Sequence, residues 1–451
     1  MTNLECLGRL VRKTCVTTLV LGVTCLTMTR EAMALSLIRD AETEYVLHQY
    51  SDPIFEAAGL DPKAVRIHVL NDDNINAFVA GGQRMFIHTG LILKTETPSQ
   101  VIGVIAHETG HMAGGHLSRT QDALKSAQVP IIISTLLGIG AIVAGAGDVG
   151  AALIAGGATV GQRDFLQYSR MQEASADQAA VTYLDRVGET GAGLLATFEQ
   201  FRDQEVLSAQ SQDPYIRSHP ISSERLAALE ERVHKSPYYD RPTPTDQLFA
   251  HEMLRAKLFG FLERPDVTFR RYPPSDQSSP ARYARAVAFH RRGDLAKSML
   301  ELEPLLAAYP DNPFLWELKG QILFESGKVK DAIAPYQRAV DLAPDSPLLR
   351  VGLGQAMLAV EEPAYDKTAL KELQVAVQRD QDNPSAFFHL AQAYAKNGDI
   401  GLATLSTAEQ HYVNGDLKEA KIYALRAQQH FTQGSPNWLR AEDIIKEGDE
   451  T

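Results

Sequence analysis

A period of 34 residues runs through the carboxyl-terminal part of this 451-residue chain and limits its fold more than any other feature. Ala286, Gly320 and Gly354 recur at that step, and further glycines and prolines recur between them. A period of this length is typical of a unit of two helices that buries its apolar face against the next unit. The sequence therefore predicts an all-α solenoid of about four units over residues 281–445.

The clearest unit combines two aromatic residues with small ones. Its members are Trp316, Gly320, Gly327, Ala332, Tyr336, Ala339 and Pro344. This spacing resembles the tetratricopeptide repeat (TPR) consensus, although Lys319 stands where that consensus has leucine. Three residues are inserted around 361–366, and a capping helix is expected near Trp438. We expect the array to bind a peptide or protein partner; a passive spacer is the alternative.

The second feature is the sequence HETGH, residues 107–111, after an apolar helical run that begins at Pro98. On a helix His107 and His111 lie one turn apart on the same face, so both imidazoles can bind one Zn2+. Glu108 lies one step around the helix, where it can take a proton from water. The motif predicts one zinc ion per chain, held by the two histidines, with Glu108 as the general base.

A catalytic zinc needs a third protein ligand, and two residues compete for that role. His116 follows paired glycines, but on a continuing helix it would face away from His107. Glu173 lies on a second predicted helix over residues 169–184, with Asp177 one turn later. We expect Glu173 to be the ligand, and Asp177 to accept the free N–H of a zinc-bound histidine.

Longer stretches around these residues resemble a known family. The run AFVAGGQRMFIHTGLI, the HETGH motif, residues 169–177 and residues 218–226 are similar in order and spacing to the zinc metallopeptidase family of the CAAX prenyl endopeptidase and HtpX. The similarity covers about residues 40–235. It implies an α+β zincin-like (gluzincin) catalytic domain, mostly helical with a small sheet, followed by the all-α TPR solenoid.

His219 lies in the last of these stretches and has three candidate roles. It could stabilise an oxyanion, or it could bind zinc as a fourth ligand that displaces water and keeps the enzyme latent. It could also be a loop histidine ahead of a structural Arg225. We expect an active-site role for His219.

Three short runs before the motif have the pattern of strands: residues 65–70, 76–80 and 84–88, with Gly81-Gly82 as a hairpin turn. We expect residues 84–88 to form the edge strand beside the active-site cleft. An extended peptide could add to such an edge through backbone hydrogen bonds.

The first 34 residues have the pattern of a secretory signal peptide. Three basic residues precede an apolar run of about 14 residues, shorter than the roughly 20 that span a bilayer, and Ala32-Met33-Ala34 offers a cleavage site. All three cysteines lie in this segment, so disulfides and thiolate ligands are not expected afterwards. Cleavage would change the net charge from −12 to −14, which argues against nucleic acid as a partner. We expect a periplasmic location.

Residues 129–160 are almost uncharged and apolar. A single membrane crossing there would put His107 and Glu173 on opposite sides of a membrane, and two crossings do not fit into about 32 residues. A buried hairpin, a lid or a peripheral membrane contact remains. The sequence thus predicts a signal peptide over 1–34, a peptidase domain over 35–265, a linker over 266–280 and the TPR domain.

Together with export and the repeats, the family resemblance implies an enzyme that hydrolyses unfolded or stalled outer-membrane proteins. It also implies a protein partner for the TPR domain, such as the outer-membrane barrel assembly machinery. The alternative is a TPR-based chaperone or scaffold with a largely latent zinc site.

Overall fold

A computed structural model of the chain describes residues 36–116, 119, 169–202, 215 and 219–449. The expected signal peptide and the apolar segment 129–160 lie outside these residues. Residues Leu37–Thr451 belong to one compact unit. Of the helices in the described part of the chain, none has the length and apolar character needed to cross a membrane.

The amino-terminal half of this unit mixes short strands with helices. They are β1 (Leu37–Ile38), α1 (Ala41–Ala57), β2 (Arg66–Leu70), β3 (Ala77–Ala80), β4 (Arg84–His88), α2 (Thr89–Lys94), α3 (Pro98–Ala113), α4 (169–187), α5 (Ala192–Glu199), α6 (Ser223–Lys235), α7 (Thr245–Leu262) and α8 (Pro265–Arg271). The predicted mostly helical domain with a small sheet is confirmed.

The sheet has the strand order β1-β2-β4-β3. The predicted hairpin is present: β3 and β4 are antiparallel, and Gly81 and Gly82 have φ values of 57° and 91° in the turn. The prediction that residues 84–88 form an edge strand is wrong, because β4 also pairs in parallel with β2 along its other side. The sequence pattern that predicts the β3–β4 hairpin is local, so it carries no information about the pairing of β4 with β2. The strand at that edge of the sheet is β3.

Helix α3 is fixed at its start and packed tightly along its length. Pro98 occupies its first turn, and the Gln100 side chain accepts a hydrogen bond from the Thr97 N–H. A Cβ on Gly103 would lie 2.7 Å from Leu194, and one on Gly110 would lie 2.9 Å from the backbone oxygen of Ala176. These glycines therefore let α5 and α4 approach α3 closely, which brings residues from three helices together.

The carboxyl-terminal half consists of paired antiparallel helices. They are α9 (Ser279–Arg291), α10 (Leu295–Ala308), α11 (Pro313–Glu325), α12 (Val329–Leu342), α13 (Pro347–Ala359), α14 (Pro363–Arg379), α15 (Pro384–Lys396), α16 (Ile400–Val413), α17 (Leu417–Gln428) and α18 (Pro436–Glu447). The first eight helices form four pairs, and α18 contains Trp438, as the period predicted.

Glycines with positive φ join the helices of the first two pairs, Gly293 at 71° and Gly327 at 77°. Glu361 takes the equivalent place in the third pair with φ of 60°. The inserted residues lengthen the helix that follows: α14 has 17 residues, whereas α10 and α12 have 14 each. The insertion therefore leaves the stacking of the pairs intact.

The predicted linker, residues 266–280, contains most of α8. The side chain of Arg285 holds the residues after α8 in place. This fully buried side chain donates to the backbone oxygens of Pro273 and Asp276 and pairs with Glu301. Helix α7 packs directly against α9. The array is thus joined to the peptidase domain through packed helices.

A cluster of buried charges also joins the two halves. Lys257 Nζ on α7 lies 2.6 Å from Asp40, 3.4 Å from Glu42 and 3.6 Å from Glu317 on α11. The Tyr283 hydroxyl on α9 donates to Glu42 at 2.6 Å. Lys257 therefore connects the start of α1 with the second helix pair of the array, and Tyr283 connects it with the first.

Candidate metal centre

Three side chains from α3 and α4 converge at the crossing near Gly110. The Nε2 atoms of His107 and His111 are 3.1 Å apart. Glu173 places Oε2 3.4 Å from His107 Nε2 and Oε1 3.4 Å from His111 Nε2. All three residues are buried. The structure therefore brings together the three residues that the sequence predicts as metal ligands.

His219 joins this group. Its Nδ1 lies 3.4 Å from His107 Nε2 and 3.3 Å from Glu173 Oε2. The ring is held by a hydrogen bond from its backbone N–H to the Tyr215 oxygen, 2.7 Å, and by ring contact with Tyr215 at 4.9 Å. Of the candidate roles for His219, this placement corresponds to a fourth donor.

The donor atoms of His107, His111, Glu173 and His219 lie within 4.8 Å of one another. Their close contacts, 3.1 to 3.4 Å, match the edge of a coordination tetrahedron, because ligands about 2.05 Å from a tetrahedral zinc ion are about 3.3 Å apart. Imidazole and carboxylate are also a donor set that such ions accept. These four residues offer donors that fit one metal ion and would hold it.

Glu108 is fully buried beside these donors. Neither carboxylate oxygen accepts a hydrogen bond from a residue that the structure describes, and His219 Nε2 lies 3.4 Å from Oε1. Buried polar atoms are normally satisfied, so a carboxylate left in this state is typical of a functional group. Its place next to the donor cluster is suited to a general base.

A second layer of side chains orients the donors. Asp177 Oδ1 lies 2.9 Å from His107 Nδ1, so this carboxylate stands beside a histidine of the motif, as the sequence predicts. Arg225 on α6 donates to both oxygens of Asp177, at 2.5 and 2.8 Å, and its Nη1 lies 2.8 Å from Glu173 Oε2. Its guanidinium lies 5.0 Å from the Phe198 ring centre. The sequence alone indicates only a structural role for Arg225. The one sign that it lies near the site is its position six residues after His219.

The pKa values of these groups follow from burial and pairing. Burial favours a raised pKa for Glu173, but the charge of His219 and hydrogen bonds from His107 and His111 hold it well below its usual value. Burial opposes protonation of His107, yet Asp177 and Glu173 raise its pKa to about 9. The Glu173 carboxyl is therefore held in its charged form, which is the form that binds a metal ion.

His116 lies outside the donor group. Its Nδ1 is 3.0 Å from the Nδ1 of His111, on the side of that ring away from Glu173. The structure thus separates the two candidates for the third ligand: Glu173 faces the metal position and His116 stands behind His111.

Residues 40–233 match the sequence profile of peptidase family M48, and residues 284–409 match that of the TPR domain of cytochrome c-type biogenesis protein H. The beta-barrel assembly-enhancing protease of Yersinia pestis is 24% identical over 383 residues, which are 83% of this chain and 78% of that protein. The protein of the same name from Escherichia coli K12 is 25% identical over 364 residues, 78% of this chain and 72% of that one.

The metalloprotease LoiP of Escherichia coli K12 is 28% identical over 175 residues, 38% of this chain and 63% of that protein. This similarity concerns a shorter stretch than the two proteases above. The chain therefore combines a peptidase M48 domain with a TPR domain, and it is a metalloendopeptidase.

Proposed function

We propose that this chain, which joins an M48 peptidase domain to a TPR array, is a zinc-dependent endopeptidase of the periplasm. Its substrates would be misfolded or stalled outer-membrane proteins, and its role would be quality control of their assembly. The observation that supports the activity is the convergence of His107, His111 and Glu173 with Glu108 buried beside them. The signal-peptide pattern supports the location, and the names of the relatives support the substrate class.

Zinc, when bound, would polarise the scissile carbonyl and activate water. The residues of the chain supply the proton transfer and the orientation. Glu108 is placed to take a proton from the attacking water and return it to the leaving amine. Asp177 fixes the ring of His107, and Arg225 holds Asp177 and Glu173 in one arrangement.

The open side of β3 offers a place for the substrate backbone. Among the described strands β3 pairs only with β4, and it packs against α3, which carries the metal ligands. An extended segment could add beside residues 77–80 through backbone hydrogen bonds. Such binding requires an unfolded stretch of the substrate and depends little on the identity of its side chains. The residues that select a client would therefore lie elsewhere in the chain.

A cavity of about 1020 Å³ lies between the sheet and the array, and it could bind the part of a client that is recognised. The sheet contributes Arg84 and Phe86, and the array contributes Phe387, Tyr412 and Arg440. The aromatic rings and paired charges suit a polypeptide segment with both apolar and polar side chains. We propose that a client, or a partner in barrel assembly, binds there.

A second candidate function is a TPR-based scaffold with a latent protease site, and His219 favours it. A catalytic zinc site keeps one position open for water, whereas four protein donors close it. With His219 among the donors the site has the closed form. Proteolysis would then require His219 to move aside when a client or partner binds.

Substitution of Glu108 tests the proposed function. Purified full-length Glu108→Gln should bind zinc and fold normally but not cleave an unfolded outer-membrane barrel that the wild type cleaves. His219→Ala should cleave it faster than the wild type, since the fourth position opens. If Glu108→Gln lost cleavage and still fully replaced the wild type in cells, the scaffold function would be favoured instead.

A further inference from the structure

The chain turns immediately after the metal-binding helix. Helix α3 ends at Ala113, and Gly115 adopts φ of 63°, a conformation that other residues rarely take. The turn brings residue 116 back against α3, whereas a continuing helix would carry it to the opposite face. His116 is buried there with 6% of its surface exposed.

The neighbouring glycine makes room for this ring. A Cβ on Gly114 would lie 2.5 Å from His116 Nε2 and 2.8 Å from its Cδ2. The backbone oxygen of His116 accepts a hydrogen bond of 3.0 Å from the Gln172 side chain on α4. Both glycines and the contact with α4 therefore hold His116 at one place, directly behind His111.

The two nitrogens of His111 have different surroundings. Its Nε2 faces His107 and Glu173 among the metal donors, and its Nδ1 lies 3.0 Å from His116 Nδ1. A neutral imidazole that binds a metal through one nitrogen carries its proton on the other. The Nδ1–H of His111 would then donate to His116 Nδ1, which requires His116 to be neutral with its proton on Nε2.

We infer that His116 is a positioning residue, which accepts the Nδ1–H of His111 and thereby aims the Nε2 of that ring at the metal. The inference rests on the proposed metallopeptidase function, since it assigns a partner to one of the metal ligands. It makes the pair His116–His111 the counterpart of Asp177–His107, so that each histidine of the motif has its own orienting group.

The two orienting groups differ in charge but not in their net effect on the site. His116 accepts the Nδ1–H of His111 only as a neutral imidazole, so it adds no charge. Asp177 is an anion, but Arg225 binds both of its oxygens. Neither partner therefore adds uncompensated negative charge to the ligand set, whose one anion is Glu173.

Three substitutions separate hydrogen-bond acceptance from packing. His116→Asn keeps an acceptor on the atom that corresponds to Nδ1, His116→Gln moves the polar group one bond farther, and His116→Leu has none. The measurement is the zinc affinity of the full-length protein in competition with a chromophoric chelator, together with the visible spectrum of the Co2+-loaded protein. The melting temperature of each metal-free variant measures the effect on folding alone.

We expect His116→Leu to bind zinc about 10- to 100-fold more weakly, the usual effect of removing a group that orients a metal ligand. His116→Asn should bind it close to the wild type and keep the wild-type Co2+ spectrum, and His116→Gln should behave like His116→Leu. If the leucine variant fails to fold, the comparison of the Asn and Gln variants still tests whether an acceptor is needed at this position.

Wild-type zinc affinity in both the leucine and glutamine variants would overturn the inference. So would an equal loss in all three variants that follows their melting temperatures, because a packing role predicts it. The readout is metal affinity and does not involve proteolysis. The inference about His116 can therefore fail although the chain cleaves its substrate, and it can be confirmed although the proposed substrate is wrong.

Discussion

The peptidase domain and the repeat array organise their interiors differently. At the metal centre, contacts join residues far apart in sequence, such as His107 and His219 or Arg225 and Asp177, and most of the buried groups are charged or polar. In the array, small residues meet rings nearby in sequence, as where Gly320 faces Tyr336. A single substitution at the metal centre should therefore abolish function, whereas a single substitution in the array should lower stability.

Removing Glu173 should give the largest effect. Glu173→Ala deletes one metal donor and leaves Nη1 of Arg225 without this anion, so zinc affinity should fall more than about 100-fold and cleavage should drop to background. Zinc content after dialysis and cleavage of an unfolded protein measure it. Glu199→Ala, an exposed carboxylate in the same domain, is the control. Unchanged zinc affinity in Glu173→Ala would refute this ligand assignment.

Tyr336→Ala tests the array in the same way. The Tyr336 ring lies where a Cβ on Gly320 would meet it at 2.8 Å and one on Gly352 at 3.0 Å, so it fills space between two helix pairs. Its removal should lower the free energy of unfolding by about 3 to 5 kcal/mol. Urea denaturation measures this loss. A parallel loss of zinc affinity in the folded variant would show that the two regions are not independent.

Glu317→Gln tests the junction between the regions. Burial raises the pKa of Glu317 to about 7, against the lowering effect of Lys257, from an unfolded value near 4.5. Between these values the folded state holds a proton that the unfolded state lacks, so wild-type stability falls by about 3 kcal/mol as pH rises through this window.

The glutamine variant lacks this titration. Its melting temperature should therefore be close to the wild type at pH 5 and higher at pH 8. Glu303→Gln, an exposed ion-pair partner of Lys319, is the matched control and should show no such pH dependence. A Glu317→Gln variant that is less stable than the wild type at pH 8 would mean that the ion pair with Lys257 outweighs burial.

The smallest effect is expected at Glu361. It holds φ of 60° where the two preceding pairs have Gly293 and Gly327. Replacing it with glycine should relieve the left-handed strain and raise stability by about 1 kcal/mol. Gly327→Ala should lower stability by a similar amount. Loss of stability in Glu361→Gly, seen in its melting temperature, would show that the side chain contributes more than the strain removes.

Features carried by local patterns could be predicted from the sequence. The period located the helix pairs, and the glycine pair at 81–82 located the hairpin. Within the site, helical spacing and the family resemblance named His107, His111 and Glu173, which the structure brings together. The helix pairs and the hairpin could be predicted because one repeat or one turn fixes their geometry.

Features that depend on distant pairing could not be predicted. The position of β4 inside the sheet depends on its pairing with β2, and the role of Arg225 depends on the packing of α6 against α4. His116 illustrates the same limit within one motif. Helical periodicity predicts that His116 faces away from the site, and the turn at Gly115 instead places it behind His111.

The central claim is that proteolysis depends on one metal ion held by His107, His111 and Glu173. The most direct test measures cleavage of an unfolded outer-membrane barrel by the purified full-length protein before chelation, after chelation and after one equivalent of zinc per chain is restored. The account predicts that chelation stops cleavage, that zinc restores it, and that Glu108→Gln binds the same zinc without cleaving. Cleavage at an unchanged rate by the metal-free protein would contradict it.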